Sequence, residues 1–190
     1  YLDNTPTHSY MKMVYKYPQN AFPYEDLIKT NAERSNKETE YEIIDTGIFD
    51  QNEYFDIFIE YAKIHHDDIL IRVTVTNRNT EKAPLVILPT LWYRNNWSWG
   101  YNSYKPNFTT RHRGQIEIEH ESLGMKKLYS RDKTVKILFC ENETNTEKLF
   151  GKKSENKYFK DGINHHIVHQ KSTVNPKKFG TKAAFVIDTE

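Results

Sequence analysis

Aromatic and amide side chains gather in one stretch of this sequence, Leu85–Gly100, which reads LVILPTLWYRNNWSWG. The stretch contains all three tryptophans of the chain. Its candidate binding residues are Trp92, Tyr93, Arg94, Asn95, Trp97 and Trp99. Aromatic faces stack on the apolar faces of a sugar ring, while guanidinium and amide groups hydrogen-bond to its hydroxyls. These residues are therefore candidates for substrate binding or for a domain interface, and the alternative is that the tryptophans belong to the core of a β-sandwich.

Carboxylates are the second group with chemistry to consider, because glycoside hydrolysis needs two of them facing each other across a sugar. Glu117, Glu119 and Glu121 alternate along one segment, and this spacing predicts the solvated face of a strand. Asp67 and Asp68 lie in a short polar stretch that is typical of a tight turn. Neither group is distinguished as an acid–base pair, so the sequence predicts no catalytic residue.

The eight histidines include two clusters, His65–Asp68 (HHDD) and His165–His169. Adjacent side chains on an extended segment point in opposite directions, so the first cluster is a poor metal site. His166 and His169, three residues apart, can share one face of a helix. Because there is no cysteine partner and no HExxH motif, we expect no metal. The seven glycines are scattered and form no phosphate-binding loop, so we expect no cofactor.

Cys140 is the single cysteine, so no disulfide can form within the chain, and a reducing compartment, the cytoplasm, is expected. It lies in the apolar run VKILFC, which is typical of a buried strand. The 27 basic and 26 acidic residues nearly cancel, so no overall field favours nucleic acid or an anionic membrane surface as a partner. No apolar run has the length to span a bilayer.

The pattern of the chain predicts a mainly β fold, an antiparallel β-sandwich that forms one domain over residues 1–190, with one or two short helices near the N-terminus. The first helix ends at Pro18 and has an apolar side made of Tyr10, Met11, Val14 and Tyr15. The second runs from Pro23 to about Thr30, with Ile28 facing inward.

Strands follow the helices. Two alternating segments on either side of the HHDD turn predict a hairpin with one packed face and one wet face, and the wet face carries Asp56 and Glu60. Further strands are predicted at Gln115–Glu119, Thr134–Cys140 and Ala184–Asp188.

The segment Leu85–Tyr93 is apolar at positions of both parities, which predicts a strand covered on both faces. Pro89 cannot donate a hydrogen bond to a neighbouring strand, so it predicts a bulge or bend. Beyond Pro89 we expect the chain to leave the regular pairing.

Several long sequence blocks lie along the chain, nearly from its first residue to its last. They are YLDNTPTHSYMK at 1–12, YKYPQNAFPYEDL at 15–27, YEIIDTGIFDQNEYFDIFIEYAK at 41–63, DILIRVTVTNR at 68–78, LPTLWYRNNWSWG at 88–100, NETNTEKLFG at 142–151, and KDGIN with VNPKKFGTKAA at 160–184. Through these blocks the chain resembles the glycoside hydrolase family 63 group, the relatives of processing α-glucosidases and mannosylglycerate hydrolases.

The resemblance implies an N-terminal, supersandwich-like β domain followed by an (α/α)6 barrel that holds the general acid and base. The chain, which begins at Tyr1 without an initiator Met, is then expected to be the non-catalytic sandwich segment of a larger enzyme that hydrolyses α-glucosidic bonds with inversion. Its expected partners are the (α/α)6 catalytic domain and an oligosaccharide. No catalytic residue of the family is carried onto this chain.

Two other functions are compatible with the same residues. One is a stand-alone carbohydrate-binding module, in which Trp97 and Trp99 are stacking platforms. The other is a purely structural or dimerising β domain. Sugar binding by the chain alone distinguishes the first, and burial of the tryptophan stretch in an interface distinguishes the second.

Overall fold

The structure, a computed structural model, describes residues 1–100 and 104–189. The chain forms two compact units, Tyr1–Ala83 and Pro84–Glu190. Antiparallel sheets dominate both units, and the α-helices among the described residues are short, so the predicted mainly β fold class is confirmed. The assignment of residues 1–190 to one domain stays a prediction. None of the described helices is long and apolar enough to cross a membrane.

The first unit contains a four-stranded antiparallel sheet in the order β1-β2-β3-β4. Its strands are β1 (Asp3–Asn4), β2 (Tyr10–Pro18), β3 (Tyr54–His65) and β4 (Asp68–Asn77). The predicted hairpin is confirmed as β3 and β4, and its turn is the polar HHDD segment, in which His65 lies opposite Asp68.

The first predicted helix is wrong, because its residues form β2. Apolar side chains recur at every second position from Met11 to Tyr17, and β2 pairs with β3 along its whole length. Tyr15, for example, lies opposite Ile57. The period of two therefore prevails over the helical spacing, because cross-strand pairing gives these side chains partners that an isolated short helix would lack.

The second predicted helix is confirmed as α1 (Tyr24–Glu33). Glu25 and Asp26 occupy its first turn, where the helix dipole favours negative charge. Ile28, however, is 70% exposed, so the expectation that it faces the interior is wrong. A short 3-10 helix follows at Ile43–Thr46.

The two faces of the first sheet do not divide as predicted. Tyr15, Ile69 and Ile71 are each about half exposed, although they lie on the face that was expected to be packed. Asp56 and Glu60, expected on a wet face, are buried. We define the apolar face of the first sheet by residues that share one side of the register, namely Met11, Met13, Tyr15, Ile57, Ile59, Ile69, Ile71 and Val73.

Ion pairs explain the burial of Asp56. Its carboxylate accepts hydrogen bonds from Lys16 Nζ at 2.8 Å and from Arg78 Nε at 2.6 Å. Burial acts to raise the pKa of Asp56, but the hydrogen bonds from Lys16 and Arg78 outweigh it, so the pKa lies below its ordinary value. The long side chains of the two cations cover the carboxylate that a purely alternating pattern would leave in water.

Glu60 is held in a similar way. Arg72 donates two hydrogen bonds to the carboxylate, each of 2.8 Å, and the Tyr10 hydroxyl donates a third of 2.6 Å. The hydrogen bonds from Arg72 and Tyr10 lower the pKa of Glu60 to about 2. The network connects β2, β3 and β4 through one side chain.

The Glu60 network predicts a pH dependence for the first unit. A carboxyl group whose pKa is depressed on folding contributes stability above its unfolded pKa, here about 4.5, and that contribution is lost as the pH falls towards about 2. We therefore expect Glu60→Gln to lower stability at neutral pH and to flatten the loss of stability between pH 4.5 and 2. Urea unfolding at a series of pH values measures this. Exposed Glu33→Gln is the control, and equal pH profiles for the two variants would contradict the prediction.

The second unit contains two four-stranded antiparallel sheets. In the first of these, β10 (Lys136–Cys140) and β5 (Leu85–Ile87) flank β12 (Lys182–Thr189), and β6 (Thr90–Trp92) also pairs with β12. The other has the order β11-β7-β8-β9, with β7 (Asn107–Thr109), β8 (Gln115–His120), β9 (Gly124–Tyr129) and β11 (Phe179–Gly180). Two helices, α2 (Thr146–Phe150) and α3 (Gly162–His169), lie in the connection between β10 and β11.

Apolar side chains join the two sheets of the second unit. Phe139 and Phe185 of one sheet belong to the same cluster as Phe108 and Ile116 of the other, and none of the four is more than 2% exposed. Burying a large apolar side chain contributes about 1.5–3 kcal/mol. The packing of two antiparallel sheets on a shared core makes this unit a β-sandwich.

A second apolar cluster covers the other face of the β12 sheet. Cys140 and Ala184 pack there with Ile163 of α3. Leu88 packs against this cluster, while Leu91 packs against the core between the sheets. The predicted double covering of this segment is therefore confirmed, and its covering elements are α3 and the second sheet of the same unit.

Pro89 lies between β5 and β6, both of which pair with β12. The register is the same on both sides of it, since Leu85 lies opposite Thr189 and Trp92 opposite Lys182. The Pro89 carbonyl still accepts a backbone hydrogen bond from β12 at 3.1 Å. The expected bulge and change of pairing are therefore wrong: proline costs one donor but does not shift the strand, and regular pairing continues to Trp92.

Glu117 in β8 is also corrected by the structure. It is 7% exposed, although the sequence pattern predicts a solvated side chain. Gln115 donates a hydrogen bond of 2.6 Å to its carboxylate, and Arg111 Nε and Lys127 Nζ lie 3.5 and 3.6 Å from it. The other two glutamates of the segment are exposed, as predicted.

Gly180 approaches the backbone of β10 closely. A Cβ atom at this position would lie 2.3 Å from the carbonyl oxygen of Cys140, a distance that real Cβ atoms do not adopt. We expect Gly180→Ala to lower the free energy of unfolding by about 3 kcal/mol, because two strands must separate. The measurement is urea unfolding followed by circular dichroism.

Gly124→Asn is the matched control for this prediction. Gly124 has φ +64°, which asparagine tolerates, and no heavy atom lies within 4 Å of its Cβ position. We expect its effect to stay within about 0.5 kcal/mol. An equally small effect of Gly180→Ala would contradict the close approach of β11 to β10.

Candidate functional site

The tryptophan stretch begins at the end of β6. Trp92 is the last residue of that strand and is 57% exposed. A 3-10 helix at Trp97–Trp99 follows a four-residue connection, and Trp99 is 55% exposed. Trp97 is half-buried. The three tryptophans therefore divide into two exposed indoles and one that is anchored.

Tyr93 packs inside the second unit. Its ring makes an edge contact with Phe108, with centroids 5.7 Å apart, and lies 4.3 Å from the His120 ring. Burial raises the pKa of the Tyr93 hydroxyl. Of the six residues predicted to bind substrate or a domain, Tyr93 is thus one whose contacts are with the core.

Trp97 is anchored by Glu143, which follows β10. The indole N–H donates a hydrogen bond of 3.0 Å to Glu143 Oε1, and Lys105 Nζ donates another of 2.8 Å to the same oxygen. Burial acts to raise the pKa of Glu143, but the hydrogen bonds from Lys105 and Trp97 outweigh it, so its pKa lies below the ordinary value. The carboxylate is therefore ionised at neutral pH and fixes the indole.

Asn95 fixes the backbone around Trp97. Its Oδ1 accepts hydrogen bonds from the backbone N–H and the hydroxyl of Ser98, at 3.1 and 2.8 Å. Its amide donates a bond of 2.8 Å to the carbonyl of Asn142, whose own amide donates to the Tyr93 carbonyl at 2.9 Å. These bonds tie the tryptophan stretch to the end of β10, so Asn95 acts as a brace.

The exposed part of the stretch consists of Trp92, Arg94 and Trp99. The Arg94 guanidinium carbon lies 5.3 Å from the centroid of the Trp99 ring, within range of a cation–π contact. All three side chains are exposed. An aromatic face beside guanidinium donors can stack on a sugar ring and hydrogen-bond to its hydroxyls. We call these three residues the tryptophan surface.

Two carboxylates lie beneath this stretch. Lys105 Nζ is 3.0 Å from Glu141 Oε2 and 2.8 Å from Glu143 Oε1, so one ammonium neutralises part of both charges. Burial acts to lower the pKa of Lys105, but the hydrogen bonds that its ammonium donates to the two glutamates outweigh burial, so the pKa lies above its ordinary value. Thr181 donates a further bond of 2.8 Å to Glu141. A general acid must be protonated, and Glu143 is held in its ionised form.

Three side chains that could bind a metal come together in the β3–β4 turn. The His65 and His66 rings lie 3.9 Å apart, and His66 Nε2 is 2.9 Å from an Asp67 carboxylate oxygen. The expectation that adjacent histidines point apart is wrong here, because the register shifts between Lys63 and His65. All three side chains are exposed, and their donor atoms lie within 4.8 Å of one another. The absence of a metal in this protein stays a prediction.

The other histidine cluster lies on α3. His165 and His169 make an edge contact, with ring centroids 5.6 Å apart. His166 instead contacts Lys136 of β10, with 3.3 Å between the two nitrogens. His169 therefore pairs with His165, four residues earlier, and not with His166 as predicted.

Cys140 is completely buried in the cluster beneath α3. Burial raises the pKa of its thiol to about 12. A thiol that is neutral at physiological pH and inaccessible to solvent is not a nucleophile, so the predicted core position is confirmed.

Comparison with known proteins finds one clear relative. No family model matches the chain, and no solved structure matches it. The chain is 34% identical, over 222 aligned residues, to the uncharacterized protein YMR196W of Saccharomyces cerevisiae. The alignment covers 98% of this chain and 20% of the yeast protein. The chain thus spans about one fifth of the length of the curated relative that it matches.

Trp97 gives a test of the anchored part of the site. Trp97→Phe keeps an aromatic ring but removes the N–H that binds the ionised Glu143, so we expect the free energy of unfolding to fall by about 1.5 kcal/mol. Trp92→Phe is the control, with an expected change within about 0.5 kcal/mol, because Trp92 is exposed at the strand end. Urea unfolding followed by circular dichroism measures both. Similar losses of unfolding free energy in both variants would show that the hydrogen bond from Trp97 to Glu143 does not stabilise the fold.

Proposed function

We propose that this chain is a non-catalytic β-sandwich region of a larger carbohydrate-hydrolysing enzyme, and that it packs on an (α/α)6 catalytic domain and completes its sugar site. The proposed reaction of the larger enzyme is hydrolysis of an α-glucosidic bond with inversion. The proposal takes its reaction class from the sequence resemblance to glycoside hydrolase family 63. The observation that carries the role of this chain is the tryptophan surface.

The geometry of the stretch supports a binding role. Trp97 and Asn95 are fixed by hydrogen bonds to the end of β10, while Trp92 and Trp99 present their indoles outward. Rigid support under exposed aromatic residues lowers the entropy lost when a ligand or a domain binds. Exposed tryptophans on a rigid base are typical of binding surfaces, because the indole face is apolar and its removal from water on binding is favourable.

The carboxylates near this surface support a non-catalytic role. Inverting hydrolysis requires a protonated general acid on one side of the sugar and an ionised base on the other. Glu143 is committed to Lys105 and Trp97, and Glu141 to Lys105 and Thr181. Through these contacts the two carboxylates hold the tryptophan stretch in place. In this proposal both catalytic carboxylates come from the partner domain.

A second surface supports contact with further protein. The apolar face of the first sheet carries Tyr15, Ile69 and Ile71, each about half exposed. Apolar surface of this kind is characteristic of interfaces within larger assemblies. The match to one fifth of a longer yeast protein is compatible with such an assembly in a single polypeptide.

We propose that the protein resides in the cytoplasm, because its single thiol is buried and unpaired.

A stand-alone carbohydrate-binding module is the second candidate. The exposure of Trp92 and Trp99 favours it, although the pair differs from Trp97 and Trp99, which the sequence suggests. A module binds sugar without a catalytic domain, whereas a surface that completes a shared site binds sugar weakly when it is alone. The two candidates therefore differ in what the isolated chain does.

The decisive variant is Trp92→Ala/Trp99→Ala, with Phe150→Ala as an exposed aromatic control in α2. In the full-length enzyme we expect the double variant to lower kcat/KM for α-glucosides at least tenfold, which corresponds to a loss of about 1.4 kcal/mol of transition-state binding. The control should retain the original value. Chain 1–190 alone should show no hydrolysis of 4-nitrophenyl α-glucoside.

Calorimetry with maltose to maltohexaose separates the candidates. Weak or undetectable binding by chain 1–190, together with the kinetic loss in the full-length enzyme, supports the domain. Binding by chain 1–190 that the double variant abolishes supports the module instead. Hydrolysis by chain 1–190 that a point substitution abolishes would overturn both.

A further inference from the structure

A cavity of about 660 Å³ lies in the second unit, away from the tryptophan surface. Its walls come from the β7–β8 connection, the β9–β10 connection, β10, α3 and the turn before β11. Its volume lies in the range of small-molecule binding sites. All of its lining residues belong to the second unit.

The charge of this cavity is one-sided. Five basic side chains line it, and none of the lining residues is acidic. They are Arg111, Arg113, Lys133, Lys136 and Lys178. The whole chain has nearly equal numbers of basic and acidic residues, so this concentration is local. Clefts lined by one sign of charge focus the field and attract the opposite ion.

Arg111 and Lys133 have neighbours that partly satisfy their hydrogen-bonding groups or charges. Arg111 lies 3.5 Å from the buried carboxylate of Glu117. Lys133 donates a hydrogen bond of 3.1 Å to a backbone carbonyl, and its ammonium lies 5.7 Å from the Tyr129 ring. Of these three contacts only the first compensates a charge with an opposite charge.

Lys136 contacts a ring nitrogen of His166. The ammonium can only donate, so His166 Nε2 accepts at 3.3 Å, and Nδ1–H then donates to the Lys171 carbonyl at 2.9 Å. This contact brings no acidic group to Lys136.

Arg113 and Lys178 have no acidic side chain within 4.0 Å among residues 1–100 and 104–189. Lys178 has a backbone φ of 58°, which is rare for a residue with a Cβ atom. Asn175, three residues earlier, is buried and holds this turn through a hydrogen bond of 2.8 Å to the Phe179 carbonyl. Two exposed cations without an acidic neighbour in the described chain thus line the cavity.

Part of the cavity lining is apolar. It includes Ile137 of β10, together with Val174 and Pro176 from the segment before β11. A ligand that fits both the basic and the apolar parts of the lining has a compact body and a group with more than one negative charge. Phosphate offers this charge and several acceptor oxygens, and the arginine fork matches its geometry.

We propose that this cavity binds a small phosphate-bearing molecule, with Arg113 and Lys178 as the residues that hold the phosphate. The cavity volume favours a small molecule over a polymer, and the apolar part of the lining favours a phosphate ester with a body over the free ion. The site is independent of the tryptophan surface.

The test is a calorimetric titration of chain 1–190 at low salt with inorganic phosphate, pyrophosphate and glucose 6-phosphate, and with glucose as the uncharged control. We expect at least one phosphate probe to bind with a dissociation constant below about 1 mM and glucose not to bind. Arg113→Gln/Lys178→Asn should weaken binding about tenfold or more. Asparagine is chosen because it tolerates a positive φ.

Lys152→Gln/Lys153→Gln is the matched control, since it removes the same charge from exposed positions outside the cavity. Its affinity should equal that of the original chain. Equal weakening by both double variants would show that only net charge matters and would overturn the site. Lack of binding by all phosphate probes, or binding of a single-stranded oligonucleotide alone, would also overturn it.

Imidazole NMR signals give a readout that needs no variant. His112 and His166 line the cavity, whereas His8 belongs to the first unit. Titration with the phosphate probe should shift the signals of the first two and leave that of His8 unchanged. Uniform shifts of all three, or none, would contradict binding in the cavity.

Discussion

The central strand of the second unit must be covered on both sides, and most of that unit is arranged to satisfy this requirement. Ala183 and Ala184 of β12 have no exposure to solvent, and they face opposite sides of the sheet. One side needs the second sheet and the other needs α3. Alanine side chains are small, so both covering layers pack closely on β12. Within the layer that contains α3, a Cβ atom on Gly162 would lie 2.2 Å from the Thr173 carbonyl oxygen, so glycine is required there.

The tryptophan surface depends on the same arrangement. Trp92 is placed by the pairing of β6 with β12, and Glu143 follows β10, which pairs with the other edge of β12. Lys105 precedes β7 in the second sheet and bonds to Glu143. Three connections therefore meet where their strands end, and a polar network joins them. The same sandwich places the basic cavity among other connections, so two chemically different surfaces share one scaffold.

Parts of this structure could be predicted from the sequence, where one strong local pattern has no competitor. The β3–β4 hairpin alternates on both sides of a polar turn, and Cys140 ends a run, Ile137–Cys140, that is wholly apolar. At residues 10–17 the same tyrosines and methionines fit both a helix and a strand, and only pairing with β3 decides between them. Glu117 appears solvated by alternation, but Arg111 and Lys127 come from neighbouring segments to cover it.

The sites show the same limit. The six candidate residues of the tryptophan stretch were identifiable because they are adjacent in sequence, but their division into anchors and exposed groups depends on partners as distant as Glu143. The cavity cations are spread from Arg111 to Lys178, and no local pattern connects them. His65 and His66 meet because the strand register shifts there, which a regular alternation cannot anticipate.

The pairing of β5 and β6 with β12 also determines when the second unit can fold. Leu85 and Thr189 are partners across 104 positions of sequence, and the Thr189 hydroxyl closes the pairing with a bond of 3.0 Å to the Leu85 carbonyl. During synthesis β5 and β6 leave the ribosome long before the strand they need. Closing so long a loop is slow, and apolar strands wait unpaired in the meantime. The central strand is therefore also the last of the described strands of this unit to be synthesised, and the sheet around it can form only after that.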